Sequence, residues 1–252
     1  MKRSLMTAFA LSLMLMLSPV APLHAAELKV LAGGAMTGSL KDLGPKFEAA
    51  SGHRLDIYFG ATPELIKQAT SGAPFDVAVV PVDVFKNADA KAKFAARPTI
   101  DIARVGFGVA VRAGAPKPDI GTPEALKAAL LKAQSITFLP ESAAGSYVLK
   151  VFDRLGIAEE MKAKTRPQTV AAEIAKAVAK GDAELGVFLT NVLIAPGVEL
   201  AGAFPDQWPQ DLVFTSAVAA DSKQAEAAKA FIDFLRTPEA AATIKAKGMK
   251  PG

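Results

Sequence analysis

Short apolar runs alternate along the chain with segments whose apolar residues recur at intervals of three and four. The first run is Leu28–Leu31. In the segment that follows, residues 36–50, the positions Leu40, Leu43 and Phe47 fall on one face of a helix. The pattern therefore predicts a strand and then a helix, joined by a turn that contains two adjacent glycines.

The same alternation continues to the C-terminus. Further strands are predicted at Leu55–Phe59, Val77–Val80, Val105–Val111, Ile136–Leu139, Leu185–Leu189 and Val213–Val218. Further helices are predicted at Ala144–Leu155, Val170–Lys180 and Lys223–Leu235. Strands that alternate with helices favour an α/β fold with mostly parallel sheets flanked by helices.

Three helices are predicted to begin at the same tripeptide, Thr-Pro-Glu, at Thr62, Thr122 and Thr237. Threonine is a common N-cap residue, proline fits the first turn of a helix, and an acid there interacts favourably with the helix dipole. The flanking sequences do not align, so the tripeptide marks helix starts and not an internal repeat.

The chain has no low-complexity linker that would divide it into two halves. A two-lobed fold would therefore need the chain to cross between lobes, and the predicted crossings are Ile102–Arg112 and Phe204–Thr215. We expect residues 26–104 and 206–252 to form lobe 1 and residues 105–205 to form lobe 2.

Residues 1–25 have the pattern of a cleavable signal peptide. Lys2 and Arg3 precede the apolar run Leu5–Leu17, which is too short to favour a membrane span. Small residues at Ala25 and Ala26 offer a cleavage site. We expect a soluble protein exported to a bacterial periplasm.

Charge and composition exclude several kinds of chemistry. The net charge is +4, and Lys2 and Arg3 supply half of it, so the mature chain lacks the basic excess of a nucleic-acid-binding protein. The absence of cysteine excludes disulfides and thiol catalysis. His53 is the only histidine after the predicted signal peptide, which disfavours a catalytic triad.

No cofactor or metal is expected. The chain has no phosphate-binding loop of the form Gly-x-x-x-x-Gly-Lys-Ser/Thr and no cluster of histidines. The sequence GGAMTG follows the first predicted strand, but its glycines do not have the Gly-x-Gly-x-x-Gly order of a dinucleotide site.

Five small, polar turns follow predicted strands or precede predicted helices, and they are the candidate ligand site. In open α/β sheets ligands bind at the edge where the strands end, and the free N–H groups of helix starts favour an anion there. The alternative is that these residues are ordinary caps and turns. The candidate ligand-binding residues in these turns are Gly34, Ala35, Met36, Thr37, Gly60, Thr62, Ser142, Ala144, Gly145, Ser146, Val170, Thr190 and Asn191.

Arginine side chains could add bidentate contacts to a carboxylate. The candidates are Arg54, Arg104, Arg112, Arg154 and Arg166. The sequence leaves open which of them face the ligand.

The order and spacing of several segments resemble the periplasmic molybdate-binding proteins, which are solute receptors of ABC importers. The segments are LKVLAGGAMTGSL, ELIKQATSGAPFDVAVV, ESAAGSYVLKVFDRLGI and AVAKGDAELGVF, and the similarity covers nearly the whole mature chain. The resemblance implies the type 2 periplasmic binding-protein fold, in which two α/β lobes enclose a ligand cleft.

The same resemblance implies five ligand positions. The serine of the family's first turn corresponds to Ala35, and the serine of its second turn corresponds to Thr62. The family's backbone donors fall near Ala144 and Val170, and its tyrosine corresponds to Leu189. Two side-chain donors are therefore absent, at a cost of about 1–3 kcal/mol each for a desolvated oxyanion, which favours an organic carboxylate over molybdate.

The segments GGAMTG, VAVRAGAPKPDI and ESAAGSY also resemble a divergent branch of this fold that includes periplasmic aconitate isomerases. This resemblance implies a pocket for a tricarboxylate and no cofactor. Interconversion of trans- and cis-aconitate would need a base and donors for the developing negative charge. Glu141 and Tyr147 are the candidate catalytic residues.

Two functions follow from these expectations. The first is a periplasmic receptor that binds a small anion for an ABC permease. The alternative is an aconitate isomerase on the same scaffold. We expect a monomer that does not bind nucleic acid.

Overall fold

Two β-sheets with helices packed against them make up the fold in a computed structural model of the chain. The structure describes residues 25–96, 99–208 and 211–252. Residues 1–24 of the predicted signal peptide lie outside the described residues. The fold class is α/β, as the sequence predicts.

Eleven strands are formed within the described residues. They are β1 (Glu27–Gly33), β2 (Arg54–Gly60), β3 (Val77–Pro81), β4 (Ile100–Val105), β5 (Phe107–Arg112), β6 (Ile136–Phe138), β7 (Thr165–Pro167), β8 (Leu185–Leu189), β9 (Val198–Ala203), β10 (Leu212–Val218) and β11 (Lys250–Pro251).

The same residues form ten α-helices. They are α1 (Thr37–Ser51), α2 (Thr62–Thr70), α3 (Ala88–Lys91), α4 (Pro123–Lys132), α5 (Ala143–Leu155), α6 (Ala158–Lys164), α7 (Ala171–Lys180), α8 (Thr190–Leu193), α9 (Ala225–Phe234) and α10 (Pro238–Ala246). Short 3-10 helices at Gly34–Met36 and Val82–Lys86 follow β1 and β3.

The strands divide between the two sheets so that the chain passes from the first sheet to the second and back again. The first sheet has the order β11-β4-β10-β3-β1-β2, and the second has the order β7-β6-β8-β5-β9. The chain leaves the first sheet at Gly106, between β4 and β5, and is back in it where β10 begins at Leu212, after β9 has ended in the second sheet at Ala203. The residue bounds of the two lobes stay a prediction.

The expectation of mostly parallel sheets is wrong, because both sheets are mixed. β1 pairs in parallel with β2 and β3, and β6 pairs in parallel with β7 and β8. β10 runs antiparallel to β3 and β4, and β5 runs antiparallel to β8 and β9. The crossings explain this difference, since a strand that arrives from the other sheet enters where the parallel strands end and therefore runs the opposite way.

Two of the three predicted threonine caps are confirmed. The Thr122 hydroxyl accepts a hydrogen bond from Ala125 N, and the Thr237 hydroxyl accepts one from Ala240 N. The prediction for Thr62 is wrong, because α2 has Ala61 as its N-cap and the Glu64 carboxylate accepts the Ala61 N–H at 3.1 Å.

The largest apolar core is continuous between the two sheets. It includes Phe47, Phe231, Phe138 and Phe152, which are almost fully buried. Phe47 makes an edge-on contact with Phe231 at a centroid distance of 5.0 Å. A second, smaller cluster around Leu65 and Phe94 covers another part of the first sheet. These cores hold the ends of β1, β2, β6 and β8 in fixed positions.

Candidate functional site

A cleft of about 110 Å³ lies where the ends of strands from both sheets meet. It fits a ligand of small size, since it has room for several water molecules. Its lining comes from both sheets and from the first turns of four helices. The residues are Gly33, Gly34, Ala35, Thr37, Phe59, Gly60, Ala61, Thr62, Glu64, Pro81, Leu139, Ser142, Ala143, Ala144, Thr169, Val170, Ala171, Ala172, Phe188, Leu189, Leu212 and Phe214.

Helix starts supply most of the polar groups that face the cleft. The 3-10 turn Gly34–Met36 leads into α1, and the first residues of α2, α5 and α7 also line the cleft. The first N–H groups of a helix have no partner within the helix and carry the positive end of its dipole. The cleft therefore has the donors of an anion site.

The start of α7 offers the most accessible backbone donors. Val170 is the N-cap residue, it is 55% exposed, and no side chain caps the helix. Ala171 and Ala172, the first two residues of α7, both line the cleft. Their N–H groups belong to the first turn of the helix. Because both residues have small side chains, a ligand can approach the backbone closely.

The start of α5 is partly capped. The Ser142 hydroxyl accepts a hydrogen bond from Gly145 N at 2.9 Å and donates one to the Leu139 carbonyl at 2.8 Å. Ala143 N donates to the Thr62 hydroxyl at 3.1 Å. Ala143 and Ala144, the first two residues of α5, both line the cleft. Ala144 lies between the two residues whose N–H groups make these bonds.

Two hydrogen bonds join the two sides of the cleft directly. One is the bond from Ala143 N on α5 to the hydroxyl of Thr62 on α2. The other runs from the side-chain amide nitrogen of Asn191 on α8 to the carbonyl of Ala35, at 2.8 Å. The side-chain oxygen of Asn191, Oδ1, is buried and has no hydrogen-bond partner among the described residues. The cleft is thus closed by contacts between the protein's own groups.

The T62V substitution is expected to weaken this closure. Valine keeps the shape of the side chain but leaves the Ala143 N–H without its acceptor, at a cost of about 1 kcal/mol in the free energy of unfolding. Small-angle scattering of the protein without ligand should show a larger radius of gyration. T62S keeps the hydroxyl and is the control, and an unchanged radius and stability for T62V would contradict the role of this bond.

One carboxylate is the only charged side chain that lines the cleft, as far as the described residues go. It belongs to Glu64, whose Oε2 is held by the Ala61 N–H. No lysine, arginine or histidine lines the cleft within residues 25–96, 99–208 and 211–252. An anion bound here would be held by neutral N–H and hydroxyl groups and by helix dipoles.

Apolar side chains form the walls between these donors. Phe59 and Phe188 are the penultimate residues of β2 and β8, and Phe214 and Leu212 come from β10. Clefts with mostly apolar walls and a few convergent polar groups are typical of small-molecule sites.

The structure brings most of the predicted site residues together. The five positions implied by the resemblance, Ala35, Thr62, Ala144, Val170 and Leu189, all line the cleft. Four further predicted residues lie in the same lining. They are Gly34, Thr37, Gly60 and Ser142.

The remaining predicted ligand residues lie elsewhere. Met36 is fully buried in the core, and Gly145 packs against the backbone of residues 139 and 140. Thr190 donates its N–H to the Gly106 carbonyl, and Asn191 holds Ala35. Ser146 is exposed and lines a neighbouring groove.

The two candidate catalytic residues also lie outside the cleft lining. Glu141 is exposed, one residue before the N-cap of α5. Tyr147 is 8% exposed, lies against Phe107 at a centroid distance of 4.3 Å and donates its hydroxyl proton to the Trp208 carbonyl. Burial raises the pKa of Tyr147, so it stays a neutral donor at ordinary pH.

The candidate arginines do not enter the cleft. Arg104 forms an ion pair with Asp101 at 2.6 Å, and the guanidinium of Arg112 lies near Gly181. Arg54, Arg154 and Arg166 are exposed and are also absent from the lining. A carboxylate in the cleft would have no arginine partner there.

Several lining residues were not predicted from the sequence. Glu64 was interpreted only as a helix-start acid, and its position one turn into α2 was the available signal. Phe59 is the last apolar residue before the turn at Gly60, and Phe188 lies two residues before the predicted turn at Thr190, so both positions near strand ends were available signals. No local signal marks Phe214, because β10 reaches the cleft only through the second chain crossing.

The described residues contain no group of three or more histidine, cysteine, aspartate or glutamate residues placed to hold a metal ion. None of the helices in this part of the chain is long and apolar enough to span a membrane.

The sequence profile of the family described as bacterial extracellular solute-binding protein matches residues 28–250. An aconitate isomerase of a Pseudomonas species is 33% identical over 241 residues, which cover 91% of this chain and 91% of that protein. The molybdate-binding protein of Azotobacter vinelandii is 28% identical over 232 residues, which cover 89% of this chain and 90% of that protein.

A similar fold has been solved for the periplasmic molybdate-binding protein of Azotobacter vinelandii. The TM-score is 0.73 at 21% sequence identity, and the match covers 88% of this chain and 98% of that chain. At this identity the match shows the fold alone.

Proposed function

This chain belongs to the family of bacterial extracellular solute-binding proteins, and on that premise we propose that it is a periplasmic receptor for a small organic carboxylate. The ligand is captured in the cleft and delivered to an ABC permease. Export through the signal peptide at residues 1–25 is part of this proposal.

The observation that carries the proposal is the convergence of helix-start N–H groups on a cleft whose lining, in the part of the chain that the structure describes, has no cationic side chain. The N–H groups of Ala171 and Ala172 are the main donors, and Ala144 adds a third from α5. Neutral donors can hold a carboxylate with its charge compensated by helix dipoles.

The side chains at two positions favour a carboxylate over molybdate. Ala35 and Leu189 line the cleft, and the resemblance to the molybdate-binding proteins implies a serine and a tyrosine at these positions in that family. A tetrahedral oxyanion presents acceptors in every direction, and each one left without a donor costs about 1–3 kcal/mol. A carboxylate has its acceptors at one end and can place its carbon chain against Phe59 and Phe188.

Ligand capture by closure is supported by the two chain crossings. Gly106 connects β4 to β5, and the described residues 204–208 follow β9, so these two places would act as the hinge. A carboxylate bound between Gly34 and Ala171 would contact both sides and so stabilise the closed form.

Calorimetric titration of residues 26–252 with trans-aconitate, molybdate and sulfate tests the proposal. The expected result is saturable binding of trans-aconitate and weaker or no binding of the two oxyanions. Tight molybdate binding without carboxylate binding would overturn it.

A second candidate function, isomerisation of aconitate, is favoured by the position of Glu64 and by the similarity to the Pseudomonas enzyme. Glu64 is the carboxylate that lines the cleft. As a base it would remove a proton from the methylene group of trans-aconitate. The electron pair shifts through the double bond, and the proton returns to the former vinyl carbon, which gives cis-aconitate with no loss of atoms or electrons.

The E64Q substitution is expected to abolish this conversion and to leave trans-aconitate bound. Glutamine can still accept the Ala61 N–H, so the start of α2 keeps its hydrogen bond, but a neutral amide cannot take the proton. Proton NMR of trans-aconitate incubated with the protein measures the rate of cis-aconitate formation.

E141Q is the matched control, because Glu141 lies outside the cleft lining. Its rate should equal that of the natural protein. Conversion at full rate by E64Q, or loss of conversion in E141Q, would remove Glu64 as the base. No conversion by the natural protein would leave the receptor as the function.

A further inference from the structure

A second cavity, of about 210 Å³, adjoins the cleft, and its lining is more polar than that of the cleft. We call it the side groove and define it by its charged and hydroxyl-bearing lining residues Asp83, Lys86, Ser146, Tyr147, Lys150 and Asp211, of which Tyr147 donates its hydroxyl proton to the Trp208 carbonyl. Ala143 and Leu212 line both the side groove and the cleft, so the two cavities share a wall. A ligand that fills the cleft therefore has a polar space directly beside it.

The two sides of the side groove come from different sheets. Asp83 and Lys86 lie on the 3-10 helix after β3, which belongs to the first sheet. Ser146 and Lys150 lie on α5, which packs on the second sheet through β8. The groove thus opens and closes with the cleft.

The charges in the side groove leave one lysine uncompensated. Lys86 forms an ion pair with Asp83 at 2.5 Å, and Asp211 forms one with Lys250 at 3.1 Å. Lys150 forms no ion pair or hydrogen bond with any residue that the structure describes. The groove therefore presents one free positive charge next to a cleft whose lining has none.

The geometry of α5 places this charge within reach of the cleft. Ser146 and Lys150 are four residues apart, so they lie on the same face of the helix. Helical side chains lean towards the N-terminus of the helix, which for Lys150 is the direction of Ala143 and the cleft. Two turns of helix, about 10 Å, separate Lys150 from Ala143, and the long lysine side chain covers much of that distance.

We propose that the side groove is a second carboxylate subsite, in which Lys150 and Ser146 bind the central carboxylate of a tricarboxylate whose terminal carboxylate occupies the cleft. The proposal rests on the proposed function, because it assumes that the cleft binds a carboxylate. It makes the ligand class polycarboxylate: one carboxylate is held by the neutral donors at α7, and another is held by the ammonium group of Lys150.

The subsite also accounts for a cleft lining that has no cationic side chain within the described residues. A polycarboxylate carries more than one negative charge, and a site without any cation would leave all of it to neutral donors. A lysine at the rim can attract the ligand while it remains hydrated, without the desolvation cost of a buried charge.

Tricarballylate and glutarate are a matched pair of probes, because they differ only in the central carboxylate. Calorimetric titration should show that the natural protein binds tricarballylate more tightly than glutarate. In K150M the affinity for tricarballylate should fall by about fivefold to tenfold, towards that of glutarate, while the affinity for glutarate falls less.

Two further variants separate the charge of Lys150 from other effects. K150R keeps the positive charge and should retain most of the tricarballylate affinity. K162M removes an exposed lysine on α6, and its binding should equal that of the natural protein. The tricarballylate affinity of the natural protein should also fall with salt more steeply than that of K150M.

The outcomes distinguish the subsite from the proposed function. Equal losses for both ligands in K150M, or no loss, would overturn the subsite and leave carboxylate binding in the cleft intact. If the natural protein bound neither tricarballylate, glutarate nor trans-aconitate, the proposed function would fail and the subsite with it.

Discussion

The V170D substitution is expected to stabilise the fold and at the same time to abolish anion binding. Val170 is the N-cap residue of α7, has extended backbone angles and leaves the helix without a side-chain cap. Aspartate is among the best N-cap residues, so the free energy of unfolding should rise by about 0.5–2 kcal/mol. The side chain is 55% exposed, and its replacement disturbs little of the core.

The same carboxylate would occupy the donors that a ligand needs. It would accept the first N–H groups of α7 and place a negative charge at the cleft, where it repels an anion. We expect the affinity for trans-aconitate to fall by about 100-fold, which corresponds to about 2.7 kcal/mol. Urea unfolding measures the first effect, and calorimetric titration measures the second.

V170N is the control that separates charge from hydrogen bonding. Asparagine caps the helix about as well as aspartate but is neutral. Its stability should match that of V170D, and its affinity should lie between those of V170D and the natural protein. If V170D bound trans-aconitate as tightly as the natural protein, the start of α7 would not be the anion site.

The G145A substitution is expected to destabilise the fold strongly, although glycine was predicted as a ligand residue. A Cβ atom at Gly145 would lie 2.0 Å from the Leu139 carbonyl oxygen and 2.5 Å from the Pro140 carbonyl oxygen. Both contacts are with backbone atoms, which cannot turn away. We expect the free energy of unfolding to fall by about 3 kcal/mol, because the start of α5 must move away from β6.

Gly38 provides the matched control for this measurement. It also lies in the first turn of a helix, and a Cβ atom there would meet only the flexible side chain of Lys247 at 3.7 Å. G38A should be neutral or stabilising by up to about 1 kcal/mol, since alanine is the better helix former. Equal stabilities of G145A and G38A would show that Gly145 is not fixed by close packing.

The turns of the cleft could be predicted because their chemistry is local. Ala35, Thr62 and Ala144 are each at or beside the end of a strand or the start of a helix, and small or hydroxyl residues mark such places in any single sequence. The rule that ligands bind where the strands end then brings them together. Leu189 has no such mark and was predicted only from the resemblance to the molybdate-binding proteins.

The directions of β5 and β10 could not be predicted in this way. Both strands are apolar, and an apolar run reads the same in a parallel or an antiparallel strand. Their directions follow from the chain crossings, which depend on contacts between distant segments. For the same reason Phe214 enters the cleft without any signal in its own neighbourhood.

The side-chain partners across the cleft also could not be predicted from the sequence. Thr62 has the residue type and the flanks of an N-cap, yet its hydroxyl accepts the N–H of Ala143 from another helix. Tyr147 is on the buried face of α5, where it packs against Phe107 and donates its hydroxyl proton to the Trp208 carbonyl. Such choices depend on which faces meet when the two sheets pack, and periodicity does not contain that information.

The most direct test of the account is the response of individual backbone amides to a carboxylate. Nitrogen–proton correlation NMR of residues 26–252 during a titration with trans-aconitate would report on each N–H group. The account predicts saturable shifts at Ala171, Ala172 and Ala144, with one common affinity. Saturable binding that left these three amides unchanged, or no saturable shift anywhere, would contradict it.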